Sequence, residues 1–173
     1  MKTDIIIIGG GPAGLCFARD LADTSLEIVL IEKLGKGVLA DPPYDGREIA
    51  LTHLSKNILS GLGMWDRIPE DRISIIKSAK VMSGRSAFAL SFDHKEAGAD
   101  SLGFMIANNE IRKSAYASVA GYRNIRILDE SEVLKVGSDV AKGWVELADG
   151  KRLQAPLIVA ADSRFSPTRR IMG

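Results

Sequence analysis

The sequence of 173 residues predicts an α/β fold that has parallel strands near both ends and antiparallel strands between them. Residues 3–8 form a short apolar run that stops at a group of glycines, which is typical of a buried parallel strand. Residues 156–161 (PLIVAA) form a second run of the same kind. Residues 73–106 hold β-favouring segments separated by polar stretches, which indicates antiparallel strands of a second layer.

Composition and charge exclude several classes of protein. The sequence is 46% hydrophobic and 26% charged, as soluble globular proteins are, and its net charge of +1 offers no attraction to nucleic acid or to an anionic membrane. The single cysteine, Cys16, has no internal disulfide partner, which favours a reducing cytoplasm. No apolar run approaches the roughly 18 residues of a membrane helix. We therefore predict a cytoplasmic protein without a nucleic-acid partner. A peripheral membrane contact made by regions outside these residues stays open.

The N-terminal residues predict a right-handed βαβ crossover. After the strand at 3–8, a helix over 12–23 has Pro12 at its first position. Residues 26–31 (LEIVLI) form a second strand, so strand, glycine turn, helix and strand fit into about 30 residues. Residues 33–46 are rich in glycine, proline and aspartate and predict a loop.

The middle and C-terminal residues predict three further helices and a hairpin. A helix over 52–63 has Thr52 as its cap, with Leu54, Ile58 and Leu62 on one apolar face. The other elements are the β-favouring segments ISIIKSAKVM, AFALSF and LGFMI within 73–106, a helix over 109–121, strands over 124–128 and 131–136, a hairpin over 143–154 with a two-residue turn at Asp149-Gly150, and a helix from about Ser166.

A glycine-rich turn of the form G-x-G-x-x-G follows the first strand and consists of Gly9, Gly11 and Gly14, with Pro12 and Ala13 between the last two. Gly9 permits the tight turn out of the strand, the missing side chain of Gly11 lets a pyrophosphate approach the backbone, and Gly14 lets helix and strand pack closely. The N–H groups at the start of the helix, at the positive end of its dipole, then hold the phosphates. The turn therefore predicts a dinucleotide site.

An acidic residue follows at the spacing expected for a ribose-binding carboxylate. Glu32 lies 18 residues after Gly14, at the end of the second strand. A carboxylate accepts hydrogen bonds from both ribose hydroxyls but repels a 2′-phosphate, so FAD and NAD fit this site and NADP does not. The alternative interpretation is a glycine turn used for close packing, beside a solvated acid.

These features together predict a domain of the Rossmann-like FAD/NAD(P)-binding type with a parallel sheet. Residues 1–72 and 107–173 are expected to form the dinucleotide-binding core. Residues 73–106 are expected to supply antiparallel strands of a second layer, which the family resemblance carried by residues 9–14, 47–65 and 161–169 implies to be an incomplete substrate-side layer.

Three segments carry a family resemblance: GGGPAG at residues 9–14, REIALTHLSKNILSGLGMW at 47–65 and ADSRFSPTR at 161–169. They resemble the group A FAD-dependent aromatic hydroxylases, a superfamily of flavoprotein monooxygenases. Within it the likeness is greatest to the ubiquinone-biosynthesis hydroxylases, especially the branch that hydroxylates demethoxyubiquinol. The resemblance covers the whole chain, but the family is much longer, so we expect the chain to correspond to an N-terminal portion.

The resemblance implies roles for residues outside the glycine turn. It implies that Arg47 reaches the flavin or its phosphates and that Asn108 meets the cofactor. It also implies that Asp162 contacts the cofactor and that the backbone at Val133 meets adenine. From the residues alone, the alternatives are a solvated loop arginine at Arg47 and helix caps at Asn108 and Asp162. The full predicted cofactor-binding set is Gly9, Gly11, Pro12, Ala13, Gly14, Glu32, Lys33, Arg47, Asn108, Val133 and Asp162.

The same resemblance implies FAD as the cofactor, NAD(P)H as the electron donor and oxygen-dependent hydroxylation of a small aromatic or quinol ring. We assign no catalytic acid or base, because the flavin supplies the chemistry. We predict no metal site, because no metal-ligand spacing surrounds His53 or His94. The rival functions are an FAD-binding fragment without turnover and an NAD-binding reductase domain.

Two departures from the family pattern lie in the third segment. Ser163 stands where the family has a glycine after the aspartate, and Phe165 stands where it has an arginine. In the family this motif touches both the flavin pyrophosphate and the pyridine nucleotide, so the two changes affect the part that handles NAD(P)H.

The resemblance also predicts how the chain behaves alone. The apolar strand faces within 73–106 would lack packing partners that the family places downstream, which predicts self-association into a dimer or larger oligomer. We expect this chain by itself to show no hydroxylase activity and to bind FAD weakly or not at all.

Overall fold

The computed structural model describes residues 3–84, 88–96 and 98–172. Its five helices in these ranges are α1 (Pro12–Asp20), α2 (Lys36–Ala40), α3 (His53–Gly61), α4 (Asn108–Val119) and α5 (Pro167–Met172). Its strands there are β1 (Ile5–Ile8), β2 (Ile28–Ile31), β3 (Glu48–Leu51), β4 (Ile73–Ile76), β5 (Ser78–Met82), β6 (Ala89–Asp93), β7 (Gly103–Ala107), β8 (Ile125–Leu128), β9 (Val133–Ser138), β10 (Gly143–Leu147), β11 (Arg152–Ala155) and β12 (Leu157–Ala160). The predicted α/β fold is confirmed.

The chain divides into two compact units. The first contains residues 1–43 and 112–173, and the second contains 44–111. These limits do not follow the predicted boundaries at 72/73 and 106/107, since residues 44–72 group with the strands of 73–106. The assignment of 73–106 to a substrate-side layer stays a prediction.

A four-stranded parallel sheet forms the centre of the first unit, in the order β12-β1-β2-β8. β1 lies between β12 and β2, and its Ile5 is level with Leu157 on one side and with Ile28 on the other. All four isoleucines of β1 are buried, because both faces of the strand are covered. The predicted βαβ crossover and the parallel pairing of the last strand are both confirmed.

The second layer of this unit is the antiparallel sheet β11-β10-β9. Ile6, Ile8, Val29 and Ile31 project from one face of the parallel sheet into a cluster with residues of this layer, among them the fully buried Val145. The carboxyl ends of β1 and β2 are thus held rigidly, and these ends carry the glycine turn and Glu32.

The second unit contains the antiparallel sheet β3-β7-β4. One face of it packs Ile49, Ile73 and Ile106 into a core with Ile68 and Ile111. β3 was not predicted, because its four residues, EIAL, lie between the predicted loop at 33–46 and the predicted helix at 52–63 and were assigned to no element. It is an edge strand of this sheet with half-exposed and exposed residues, so it has no strong apolar pattern.

A two-stranded hairpin of β5 and β6 also belongs to the second unit. Its register places Ala79 opposite Phe92 and Val81 opposite Leu90, so the four side chains share one face. Val81, Leu90 and Phe92 are 59%, 50% and 45% exposed. The predicted segment AFALSF begins at Ala87, which lies outside the described residues. The exposed apolar face supports the predicted self-association, which stays a prediction.

Two local expectations are wrong, and a third feature was not specified by the sequence. Residues 33–46 are not all loop, because they contain α2. The predicted helix α3 forms, but its apolar face is largely exposed, since Leu54 and Ile58 are 68% and 51% exposed and Leu59 is the buried residue. The hairpin turn has three residues, since the Leu147 N–H bonds to the Lys151 carbonyl and leaves Ala148, Asp149 and Gly150 between them.

Three further observations concern the strand β12, the cap of α3 and the lengths of the helices. The strand β12 pairs with β1 alone among the described strands, and its residues are half-buried or exposed rather than buried as predicted. Thr52 accepts a hydrogen bond from the Ser55 N–H at 3.1 Å, which confirms its predicted role as the cap of α3. Among the helices described, none has the length and apolar character required to cross a membrane.

Candidate functional site: a dinucleotide cradle

Gly9 and Gly14 are glycines because backbone atoms occupy the space of a side chain. Gly9 has φ of +110°, and a Cβ there would overlap the Ala161 carbonyl group. A Cβ on Gly14 would overlap the carbonyl oxygen of Gly9 and lie 3.2 Å from Cγ2 of Ile7. The turn, the start of α1 and the strand β1 are therefore in close contact, as the motif predicts.

Gly11 is different, because no described atom lies within 4 Å of the position that its Cβ would take. It precedes α1, where Pro12 is the first helical residue and Ala13 is exposed. The first N–H groups of a helix have no partner inside the helix, and a glycine has no side chain with which to cap them. The open space at Gly11 and the helix start together form a concave cradle of the kind that suits an anionic group, and the binding of one stays a prediction.

Glu32 follows β2 and is half-buried. Its Oε2 accepts a hydrogen bond from the Gly10 N–H at 2.7 Å, and its Oε1 accepts one from the Leu34 N–H at 2.9 Å. Both oxygens are thereby oriented, and the carboxylate is tied directly to the glycine turn. A carboxyl oxygen has more than one lone pair, so both can still accept hydrogen bonds from a diol.

The other predicted adenosine contacts lie near Glu32. The Ser131 N–H donates to the Glu32 carbonyl at 2.9 Å, which brings the start of β9, and with it Val133, to the end of β2. Lys33 is exposed directly after Glu32. The geometry brings these residues together, and their contact with adenosine stays a prediction.

Asp162 lies beyond the end of β12, beside the glycine turn. Its Cα would be 3.0 Å from a Cβ on Gly9. Its Oδ2 accepts a hydrogen bond from the Thr168 N–H at 2.8 Å, so the carboxylate caps α5, as the alternative interpretation proposed. Partial burial raises the pKa of Asp162, but hydrogen bonds from Ser166 and Thr168 outweigh it and hold the pKa below its usual range. Its cofactor role stays a prediction.

Ser163 has φ of +96°, a conformation that favours glycine, at the position where the resembling family has glycine. We expect Ser163→Gly to raise the free energy of unfolding by about 1 kcal/mol, because strain of about 1–2 kcal/mol outweighs the extra chain entropy of glycine. Urea denaturation measures the change. Ser138→Gly, in the strand β9, is the control and should lower stability. Equal or lower stability of Ser163→Gly would contradict the strain.

In the second unit, Asp45 joins the two predicted residues Arg47 and Asn108. The Nε and Nη2 groups of Arg47 both donate to Asp45 Oδ2, with the Nε distance at 2.9 Å. The buried Asn108 donates its Nδ2 to the same oxygen at 2.8 Å, and its N–H donates to the Arg47 carbonyl at 2.9 Å. The hydrogen bonds that the Asp45 carboxylate accepts, from the Arg47 side chain first and from the Asn108 side chain next, hold the pKa of Asp45 well below its usual range.

This arrangement bears on the alternative interpretations of the two residues, which were a solvated loop arginine at Arg47 and a helix cap at Asn108. Arg47 is 65% exposed, yet it is held by an ion pair rather than left free in solvent. The amide of Asn108 bonds to Asp45, so this side chain connects two segments at the first residue of α4. Whether either residue meets a flavin stays a prediction.

Sequence reasoning missed Gly10 and Asp45. Gly10 was treated as the variable position of the motif, but its N–H binds Glu32, and a side chain there would press on the Glu32 Cβ and Cγ at 3.1 Å. Asp45 lies in the Asp-Gly turn before Arg47, and an acidic residue two positions before the arginine that the family resemblance singles out was the available signal.

The sequence of this chain is similar to a known family and to several known proteins. Residues 3–111 match the family model described as pyridine nucleotide-disulphide oxidoreductase. The chain is 47% identical to ubiquinone hydroxylase UbiM of Neisseria meningitidis, over 100% of this chain and 38% of that protein. It is 25% identical to 3-demethoxyubiquinol 3-hydroxylase of Escherichia coli, over 99% of this chain and 44% of that protein. The chain thus spans less than half the length of these relatives, in their N-terminal part.

Solved structures share the fold. p-Nitrophenol 4-monooxygenase PnpA of Pseudomonas putida aligns with a TM-score of 0.77 and 20% identity, over 99% of this chain and 44% of that chain. PqsL of Pseudomonas aeruginosa, described as a probable FAD-dependent monooxygenase, aligns with a TM-score of 0.75 and 18% identity, over 98% and 45% of the two chains. The family match covers more than half of the sequence, so the chain belongs to the pyridine nucleotide-disulphide oxidoreductase family, and the resemblance of its sequence to ubiquinone-biosynthesis hydroxylases is confirmed.

Proposed function

We propose that this chain is the dinucleotide-binding part of an FAD-dependent monooxygenase that hydroxylates a ring intermediate of ubiquinone biosynthesis. The observation that carries the proposal is the cradle at the end of β1, where the open space at Gly11 adjoins a helix start and Glu32 is tied to the same turn. The relatives named as ubiquinone hydroxylases support the substrate class.

The residues present fit the adenosine diphosphate half of FAD. The cradle at Gly11 offers backbone N–H groups to the pyrophosphate, and Glu32 offers an oriented carboxylate to the ribose hydroxyls. A negative charge at Glu32 repels a 2′-phosphate, which favours FAD or NAD over NADP at this position. In the proposal, NAD(P)H acts as the electron donor from a separate position.

When bound, a reduced flavin supplies the electrons and activates the oxygen for ring hydroxylation. The protein's contribution is to bind, orient and exclude water. Glu32 and the glycine turn would anchor the adenosine end. The guanidinium of Arg47 has five N–H donors, and Asp45 leaves three of them unused. Arg47 would therefore meet an anionic or polar part of the rest of FAD.

Disulfide reduction, which the family description includes, does not suit this chain. Such chemistry needs a pair of redox-active cysteines, and the sequence contains Cys16 alone. Burial raises the pKa of the Cys16 thiol, which disfavours the reactive thiolate. An NAD-binding reductase domain remains the second candidate, because Glu32 suits NAD as well as FAD.

Replacement of Glu32 tests the ribose assignment. We expect Glu32→Ala to weaken ADP binding roughly 10- to 100-fold, because charge-assisted hydrogen bonds worth about 1.5–3 kcal/mol are lost. Isothermal titration calorimetry with ADP measures this directly. Glu27→Ala, at an acidic position before β2, is the control. Unchanged affinity of Glu32→Ala would remove the ribose assignment.

Colour and competition separate the two candidate functions. A chain that binds FAD with a yellow flavin spectrum, and binds it more tightly than NAD, supports the monooxygenase proposal. Preferential binding of NADH, detected by its fluorescence and without retention of flavin, would instead support the reductase domain.

A further inference from the structure

We infer that Asp45 is a positioning residue that presents Arg47 and Asn108 together to the flavin-bearing half of the cofactor. The inference rests on the proposed function, since Asp45 acts through two residues predicted to meet FAD.

The geometry separates Asp45 from an ordinary turn residue. A turn needs one bond, and Asp45 Oδ1 supplies it by accepting the Arg47 backbone N–H at 3.1 Å. The second oxygen, Oδ2, instead receives the Arg47 side chain from one direction and Asn108 Nδ2 from another. One oxygen therefore fixes two side chains that lie 61 residues apart in sequence.

The consequence is a guanidinium with a defined orientation on an exposed surface. A free arginine side chain has considerable rotamer entropy, much of which it loses when it binds a ligand. The bonds to Asp45 restrict this freedom before the ligand arrives, and they leave the Nη1 donors unused by Asp45. Preorganisation of this kind increases affinity because less order is imposed on binding.

The test compares two ligands in the 173-residue chain. FAD titration by flavin fluorescence, carried to millimolar concentrations because weak binding is expected, gives one dissociation constant, and calorimetry with ADP gives the other. We expect Asp45→Asn to weaken FAD binding about tenfold and to leave ADP binding unchanged. Asparagine keeps the Oδ1 acceptor of the turn and loses the charged oxygen, so the variant separates positioning from loop structure.

A double-mutant cycle shows whether Asp45 acts through Arg47. Arg47→Ala should also weaken FAD binding about tenfold, and the double variant should be about as weak as either single variant rather than hundredfold weaker. Asp71→Ala is the matched control, since Asp71 also lies beside an arginine, with 3.8 Å between its Oδ2 and Arg72 Nε. That variant should bind FAD like the unmodified chain.

Three results would overturn the inference: an unchanged FAD affinity in Asp45→Asn, additive losses in the cycle, or an equal loss of ADP affinity. If the unmodified chain binds FAD no more tightly than ADP, the inference about Asp45 is also overturned, but the assignment of the adenosine site is not. A chain that binds neither ADP nor FAD would overturn the proposed function itself. Thermal unfolding followed by circular dichroism confirms that each variant is folded.

Discussion

Gly11→Val should abolish dinucleotide binding while leaving the fold intact. The valine side chain would fill the open space at Gly11, which is where we propose that the pyrophosphate approaches the helix start. We expect affinity for ADP and FAD to fall by at least about 100-fold. The Gly11 backbone has φ of −76° and ψ of 177°, which valine adopts readily, so the free energy of unfolding should change by less than about 1 kcal/mol.

The control for this variant is a second glycine in the same unit. A Cβ on Gly37, in α2, also meets no described atom within 4 Å. Gly37→Val should therefore bind ADP normally. If Gly11→Val keeps its ADP affinity in calorimetry, the phosphates bind somewhere other than the glycine turn.

Gly14→Ala, in contrast to Gly11→Val, should mainly destabilise the fold. The added methyl group would overlap the carbonyl oxygen of Gly9, and a backbone atom can retreat only if the turn or the helix moves. We expect the free energy of unfolding to fall by about 2–4 kcal/mol, even though alanine favours a helix over glycine by up to about 1 kcal/mol.

Urea denaturation of Gly14→Ala measures this loss. Gly37→Ala is the matched control, because it adds the same methyl group within a helix and into open space, and it should be neutral or stabilising. Equal stability of Gly14→Ala and the unmodified chain would show that α1 and β1 are not packed as closely as described.

Strong local patterns explain which parts of the fold could be predicted. β1 is four isoleucines followed by glycines, and the Gly9–Gly14 spacing has a separate steric reason at each glycine. Glu32 could be found because its distance from Gly14 along the chain is set by one helix and one strand. These features depend on neighbours within about 30 residues, so the sequence contains the relevant contacts.

The parts that could not be predicted depend on distant partners. α2 is held by the bond from the Lys36 N–H to Asp129 Oδ2 and by the ion pair of Lys113 with Asp41, over 93 and 72 residues of sequence. Its five residues, KGVLA, include a glycine and are too few to form a stable helix by themselves. Similarly, helical spacing shows that Leu54 and Ile58 share a face, but it does not show whether another element covers that face.

The pairing of β1 with β12 has a consequence for how the protein is made. β1 precedes the other described strands along the chain, and Leu157, the partner of Ile5, emerges from the ribosome 152 residues after Ile5. At a synthesis rate of about 5–20 residues per second, one edge of β1 stays unpaired for roughly 8 to 30 s. Throughout that time, four isoleucines with an unpaired backbone edge are exposed to other nascent chains. Among the described strand pairs, β1 and β12 are the furthest apart in sequence, so the strand that leads into the glycine turn depends longest on protection from other nascent chains.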